Sequence, residues 1–262
     1  MRPAGPRPSR SPAGLLLLAA LLLGACATAA PRGAPSLSPE VEAARAALER
    51  RWQAFTDLRT LAAIEIRRGG RTERLSGPLL LRSPASLRFE ALSPFGPPVI
   101  VIGVGDDGVV VWEVIRSRAY RLPATPEANR RWLGVALGGQ DLVALLAGHV
   151  LPMKDAEAGE VRPADADGAS LLLTGPSGTQ RIWMDLATGQ AKKVAWTGGK
   201  QPLDVVFAGG GPAAPIGGVT LTTPDGRLEA RMRYQGPRMD SGFDPALLRV
   251  DVPQGVEIQD FR

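Results

Sequence analysis

Apolar and polar positions first form a helical pattern near residue 40. Ser38 and Pro39 are the residue types expected at a helix cap and at a first helical position. Apolar residues then recur at three- and four-residue spacing, at Val41, Ala44, Leu48, Trp52 and Phe55. The pattern predicts an amphipathic helix that packs on its own domain rather than on a membrane surface.

From Leu61 onward the period changes to two, which is typical of strands that bury one face. Turn signals such as Gly69-Gly70 and Asp225-Gly226 separate the alternating segments, and Gly77-Pro78 inside one segment predicts an edge strand or a bulge. Residues 123–152 interrupt the alternation with two short helical segments. The sequence therefore predicts an α+β fold, mainly antiparallel β, with about 10–12 strands, an N-terminal helix and a short helical insertion.

The N-terminus has the order of a secretory signal. Basic Arg2, Arg7 and Arg10 precede an apolar segment, Leu15 to Leu23, that is shorter than the roughly 20 residues of a bilayer span. The end of this segment, Leu23-Gly24-Ala25-Cys26, resembles the lipobox of bacterial lipoproteins, in which the cysteine is acylated. An ordinary signal peptide with an incidental cysteine is the alternative.

The lipobox resemblance implies three segments. These are a signal peptide at 1–25, the lipidated Cys26 with a flexible tether at 26–37, and a folded domain at 38–262. By the same resemblance, the residue after the cysteine directs sorting. Ala27 in place of an aspartate implies a lipid-anchored protein of the outer membrane that faces the periplasm, with exposure at the cell surface as the alternative.

The net charge of the chain bears on which kinds of binding partner we expect. The 262 residues carry a formal charge of +5, but Arg2, Arg7 and Arg10 belong to the predicted signal, so the mature chain is near +2. The remaining arginines are scattered rather than grouped in runs. Basicity therefore gives no reason to expect a nucleic-acid partner.

Candidate catalytic and metal-binding residues are few. The motif Gly103-x-Gly105-x-x-Gly108 matches a dinucleotide fingerprint, but a strand pattern follows it where that motif needs a helix. His149 is the only histidine, and no Gly-x-Ser-x-Gly motif accompanies it. Asp165-x-Asp167-Gly168 lacks the later ligands of a calcium loop. We therefore expect neither an enzyme nor a metal or cofactor site.

The segment Leu92-Ser93-Pro94-Phe95-Gly96-Pro97 is similar to a loop of the LolA/LolB lipoprotein-sorting family. Residues 132–134 and 142–148 resemble the helical insertion of that family, and the likeness covers most of residues 40–260 by order of elements. It implies an incomplete, half-open β-barrel closed by helices, with an apolar cavity for acyl chains. It also implies that Pro94, Phe95 and Gly96 form a loop that assists delivery to the membrane. The tail at 248–253 is outside the resemblance, and an added strand is one interpretation of it.

Strand parity selects the side chains that would face such a cavity. The inner set is Leu75, Leu79, Leu81, Leu87, Phe89, Val110, Trp112, Val114, Ile182, Met184, Val194 and Trp196. A packed core would show the same alternation. The sequence therefore leaves a lined cavity and a solid core both open.

Two functions are compatible with these expectations. In the first, the anchored protein takes up the acyl chains of a lipoprotein or another amphiphile, with a periplasmic LolA-like carrier as partner, and passes them to the outer membrane. In the second, the same fold is a docking surface for proteins of the cell envelope.

Overall fold

The structure is a computed structural model that describes residues 37–105, 108–199, 202–210 and 215–261. The predicted signal peptide, Cys26 and the tether up to residue 36 lie outside the described residues. The predicted boundaries of these N-terminal segments therefore stay predictions.

The predicted N-terminal helix is confirmed. It spans Pro39–Ala54 (α1), and the amide of Val41 donates to Ser38 Oγ at 3.4 Å, which caps its first turn. The residues spaced for one face are buried, with Leu48 only 2% exposed. The helical insertion contains Pro126–Leu133 (α2) and Gly139–Leu146 (α3), and Gly134 ends α2 in the left-handed conformation at φ 84°.

Fourteen strands form one sheet in the described residues. Their bounds are β1 Asp57–Arg68, β2 Arg71–Arg82, β3 Ser86–Leu92, β4 Pro98–Gly105, β5 Gly108–Glu113, β6 Arg118–Leu122, β7 Ala158–Asp165, β8 Gly168–Gly175, β9 Gly178–Met184, β10 Ala191–Thr197, β11 Leu203–Gly209, β12 Ile216–Thr222, β13 Leu228–Met239 and β14 Glu257–Asp260.

The strands run in two meanders that share one seam. The spatial order is β14-β6-β5-β4-β3-β2-β1-β13-β12-β11-β10-β9-β8-β7, so the first meander meets the second where β1 pairs with β13. All neighbours are antiparallel except β14, which pairs with β6 in parallel. The sheet does not close, because β14 and β7 are its edges. The predicted half-open, mainly antiparallel fold is confirmed.

The sequence predicts about 10–12 strands, whereas the described residues contain fourteen. The difference arises because β6, β7 and β14 lack the period-two pattern. β6 has five residues with arginine near each end, and β14 has only four residues. β7 is an edge strand that contains Glu160, Arg162 and Pro163 and buries none of its residues completely. Strands that bury little carry little hydrophobic alternation, so their sequences resemble loops.

The Gly77-Pro78 interruption does not mark an edge strand, because β2 lies between β1 and β3. Its pairing with β1 runs from Arg71 to Arg82, whereas its pairing with β3 covers only Leu79 to Arg82. Gly77 approaches the backbone of Glu90 so closely that a Cβ there would collide with its carbonyl oxygen. The dipeptide thus stands where β2 stops pairing with β3.

Helices cover different parts of the inner face of the sheet. Helix α1 packs on the second meander, where a Cβ on Gly159 would lie 2.7 Å from Val41 Cγ1 and Gly189 lies against the backbone of Ala47. Helix α3 packs over β2, β3 and β12. Helix α1 thus lies on the second meander, whereas α3 spans the pairing of β1 with β13.

The C-terminal tail crosses the outer face of the first meander. The buried carboxylate of Asp57 holds its start by accepting hydrogen bonds from the amides of Ser241 at 3.0 Å and Gly242 at 2.9 Å. Further along, Arg88 donates to the carbonyl of Arg249, and Val250 lies over Gly103. The tail then adds β14 to the sheet, later in the chain than residues 248–253.

The packing of the C-terminal tail on β4 requires a glycine at position 103. A Cβ at this position would lie 2.6 Å from Val250 Cγ2, whereas a Cβ at Gly105 on the same strand would meet no atom within 4 Å. We expect Gly103→Ala to lower the free energy of unfolding by about 1–3 kcal/mol, as overpacking does. We expect faster proteolysis of the tail as well.

Gly105→Ala is the matched control, and Val250→Ala should restore stability in the Gly103→Ala background. Chemical denaturation and limited proteolysis of the variants measure both effects. Equal stability of the two alanine variants would contradict the proposed packing.

Candidate functional site

An apolar cavity of about 190 Å³ lies between the inner face of the first meander and the helical insertion. Its lining comes from both sides of the β1–β13 seam and from both helices of the insertion. The lining residues are Ile64, Ile66, Leu75, Leu79, Leu87, Phe89, Ile102, Val104, Val109, Val111, Leu122, Ala128, Asn129, Val135, Leu142, Leu146, Leu221, Leu228, Ala230 and Met232.

Asn129 is the one polar residue in that lining, and its amide is already engaged. Its Nδ2 donates to the carbonyl of Leu137 at 2.6 Å, and the residue is 3% exposed. No residue of the lining carries a charge. The cavity therefore favours an uncharged, apolar ligand over a polar one.

The cavity has a deep side and an open side. Leu79, Leu87 and Phe89 are buried on the deep side. Leu75, Ile64 and Met232 form one cross-strand row on β2, β1 and β13, and all three are only half-buried. This row lies next to the part of β2 that has left β3, and it gives the cavity a partly exposed side.

The structure brings four of the predicted inner residues together in this cavity, namely Leu75, Leu79, Leu87 and Phe89. All four come from β2 and β3. For this strand pair, the alternation in the sequence and the observed faces agree.

Val110 and Trp112 lie on the opposite face, which corrects the expected parity of β5. Val109 and Val111 line the cavity instead, because the register pairs them with Val104 and Ile102 of β4. Directly paired residues of neighbouring strands share a face. The face of β4 therefore fixes the face of β5.

The outer position of Val110 and Trp112 also has a packing reason. Val110 borders the tail, and Trp112 pairs with the fully buried Ala119 on the outer face that the tail covers. Val114 lies just beyond β5, in the turn to β6, where its amide donates to the carbonyl of Val99 at 3.0 Å. It does not line the cavity.

The other predicted residues belong to packed regions. Leu81, Ile182, Met184 and Val194 are buried in the hydrophobic core. Trp196 lines a second pocket of about 410 Å³, whose lining includes charged residues such as Asp141 and Lys154. Both alternatives left open by the sequence are thus present in one sheet: a solid core under α1 and a cavity under the insertion.

Parity along single strands missed much of the cavity lining. Ile64 and Ile66 alternate as clearly as Leu79 and Leu81, and the pairing of β1 with β13 is what adds Ala230 and Met232. That pairing joins segments far apart in sequence. No local pattern in the sequence predicts the pairing of β1 with β13.

The β3–β4 loop displays a phenylalanine to solvent. Gly96 N donates to the carbonyl of Ser93 at 3.0 Å, and Ser93 N donates to the carbonyl of Pro97 at 2.8 Å, which closes a tight loop. Gly96 has φ of 103°, a conformation suited to glycine. Phe95 is 93% exposed.

Comparison with solved structures identifies the fold, although no family profile and no curated protein matches the sequence. A domain described as an outer membrane lipoprotein-sorting protein from Vibrio parahaemolyticus aligns over 79% of this chain and 95% of its own, with 11% identity and a TM-score of 0.57. A LolA superfamily protein from Nitrosomonas europaea aligns over 79% and 97%, with 11% identity and a TM-score of 0.51. The chain has a LolA/LolB-like fold.

A DUF1329 family protein from Desulfovibrio piger is similar to the same extent. It aligns over 81% of this chain and 98% of its own, with 13% identity and a TM-score of 0.58. At such low identities the likeness establishes the LolA/LolB-like fold and leaves the function to be argued from the site.

Within this LolA/LolB-like fold, the candidate chemical residues are engaged in packing and hydrogen bonds. Asp165 accepts from Trp183 Nε1 at 3.0 Å and from Arg181 at 2.6 Å. In the described part of the chain, no three His, Cys, Asp or Glu side chains come together as a metal site requires. Among its helices, none has both the length and the apolar character to cross a bilayer.

His149 belongs to an aromatic cluster with Trp52 and Phe55, at ring-centroid distances of 5.8 and 5.1 Å. Its ring is 5% exposed, and burial is the main cause that lowers the pKa of His149 to about 4, with the positive charge of Arg51 acting in the same direction. The ring is therefore neutral at pH 7. It packs below the capped end of α3 and does not line the cavity.

This pKa predicts a loss of stability in mild acid. The unfolded chain binds a proton near pH 6.5, whereas the folded chain resists protonation down to about pH 4, so stability falls as the pH falls through this window. We expect His149 to account for a loss of about 2 kcal/mol between pH 7 and pH 5. Urea denaturation across this range should show a flatter dependence for His149→Leu, and an unchanged slope would contradict the assignment.

Proposed function

We propose that this protein is a lipid-anchored carrier or acceptor of acyl chains in the bacterial cell envelope. The observation that carries the proposal is an apolar cavity without charged lining, in the same sheet as a loop that exposes a phenylalanine. An alkyl chain gains about 0.8 kcal/mol for each methylene that it buries, so burial in an apolar cavity can drive uptake of an acyl chain without chemistry. The ligand is an acyl chain of a lipoprotein or of another amphiphile, and the function is non-catalytic.

Membrane attachment belongs to the same proposal. Cys26 would carry the lipid, and Ala27 after it would direct the protein to the outer membrane, facing the periplasm. A periplasmic LolA-like carrier is then the partner that would bring the cargo. The alternative, a docking surface for envelope proteins, needs no occupied cavity, and the uptake experiment below separates the two.

The size of the cavity implies movement on binding. Its volume of about 190 Å³ is below the roughly 300–1,000 Å³ of typical ligand pockets. The moving part that we propose is the insertion, because Ala128, Asn129 and Val135 cover the cavity and Asn129 is held by Leu137 of the same insertion. We therefore propose that α2 and the segment to α3 lift from the sheet to admit an acyl chain.

The cavity is tested by a charge placed on its open side. Leu75 lines the cavity and is half-buried, so a carboxylate at this position reaches solvent and the fold survives. We expect Leu75→Glu to weaken binding of a fluorescent fatty acid at least tenfold, about 1.4 kcal/mol, because the carboxylate and its water occupy the mouth.

Ser76→Glu is the matched control, because it adds the same charge one residue away on the exposed face. Leu75→Met should bind as the wild type does. If the wild type binds no fatty acid, or if Leu75→Glu and Ser76→Glu bind equally well, acyl-chain uptake in this cavity is wrong and the docking function is favoured.

The β3–β4 loop is tested by the polarity of its exposed side chain. Burying Phe95 at the acyl boundary of a membrane would contribute roughly 1.5–3 kcal/mol, which is too little for anchoring but enough to bias transfer. We expect Phe95→Glu to fold and to load normally but to transfer a bound fluorescent lipid to liposomes several-fold more slowly. Phe95→Leu should retain the rate, and a normal rate in Phe95→Glu would remove the loop from delivery.

A further inference from the structure

The two most exposed large hydrophobic side chains in the described residues belong to neighbouring loops. Phe95, in the β3–β4 loop, is 93% exposed, and Ile115, in the β5–β6 turn, is 78% exposed. The next in rank, Leu61 and Leu247, are 52% exposed. Large apolar side chains with this degree of exposure are costly in water, so their occurrence on adjacent loops requires an explanation.

Register places both loops at the same end of the sheet. β4 and β5 are paired through Ile100 and Glu113, and the pairing is extended by the hydrogen bond from Val114 N to Val99 O. The two loops leave these strands side by side. With strands about 4.8 Å apart, the loop centres lie two strand spacings, about 10 Å, from each other.

The backbone of the β5–β6 turn presents Ile115 outward. Ser117 N donates to the carbonyl of Val114 at 3.2 Å, which closes the turn, and Ser117 has a positive φ of 48°. Ile115 is a central residue of that turn, so no strand neighbour covers its side chain. Two separately closed turns thus display one hydrophobic residue each.

The charges beside Ile115 are balanced within the protein. Arg116 pairs with Glu113 at 3.3 Å, and Arg118 pairs with Glu257 of β14 at 3.2 Å. These four residues carry no net charge together. A surface that selects anionic lipids would instead present an excess of unpaired lysine or arginine.

We propose that Phe95 and Ile115 form a two-point hydrophobic tip that inserts into the interface of a bilayer regardless of lipid headgroup charge. The proposal deepens the proposed function, since it names the lipid surface that the cavity faces during delivery and adds Ile115 to the contact. Two projections about 10 Å apart suit a deformable lipid surface. Continuing the register of β2 with β3 places Leu75 of the cavity lining level with Ser93 at the start of the same loop.

The experiment uses the full lipidated chain in phosphatidylcholine vesicles. In Ile115→Cys the new cysteine is the free thiol for an environment-sensitive NBD label, because acylation consumes the thiol of Cys26. We expect blue-shifted emission and quenching by doxyl lipids. A label at Leu247→Cys, on the 3₁₀-helix of the tail, is the control for a site that stays in water.

Cooperation between the two residues is measured by reciprocal variants. Phe95→Glu should reduce quenching of the label at 115 several-fold, and Ile115→Glu should do the same to a label at Phe95→Cys. Phe95→Leu and Ile115→Val should retain it. Phosphatidylglycerol and added salt should change none of these values, because a hydrophobic contact is insensitive to ionic screening.

Three results would each contradict the proposed two-point tip. The first is a label at position 115 that stays in water, and the second is insertion that requires phosphatidylglycerol and is lost in salt. The third is shielding of the label by dimerisation in the absence of vesicles. Fatty-acid uptake by Ile115→Glu keeps the two proposals separate. Normal uptake with lost insertion supports the tip. Insertion by a wild type that takes up no fatty acid leaves the tip as a membrane contact and removes the carrier function.

Discussion

The structure depends on the pairing of β1 with β13. This seam joins two meanders into one sheet, so that both present their inner faces to the same side. It aligns Ile64 with Met232 and Ile66 with Ala230, which supply one wall of the cavity. It also positions the helical insertion, because Tyr234 of β13 donates its hydroxyl hydrogen to the carbonyl of Leu146 at the end of α3 at 2.7 Å.

One sheet holds a solid core and a cavity because its helical covers differ. Helix α1 is sixteen residues long and lies on the second meander, where Val41 packs over Gly159 and the backbone of Ala47 lies against Gly189. The first meander is covered by two eight-residue helices joined through Gly134. Space remains between these helices and the sheet, and the cavity occupies it.

Local signals in the sequence predict the positions of the helices and strands well. They predict correctly only some of the residues that face the inside of the sheet. Ser38-Pro39 predicts the start of α1, and Pro94 with Gly96 predicts a tight loop. Both predictions succeed because caps and turns are determined by adjacent residues. The alternation of β5 alone predicts that Trp112 faces inward, although the register with β4 turns it outward. Ile115 ends an apolar run and resembles the end of a strand. Seams and registers depend on residues distant in the chain, so periodicity cannot predict them.

The partly exposed side of the cavity and the start of the β3–β4 loop are level in the sheet because of the backbone at Gly77 and Pro78. Pro78 has no N–H to donate to a sheet ladder, and Gly77 sits directly against the carbonyl of Glu90. Pairing between β2 and β3 therefore ends at Leu79 and Phe89. Continuing that register places Leu75 level with Ser93, where the loop that carries Phe95 begins. An acyl chain that left the cavity over Leu75 would therefore emerge beside the phenylalanine proposed to meet the bilayer.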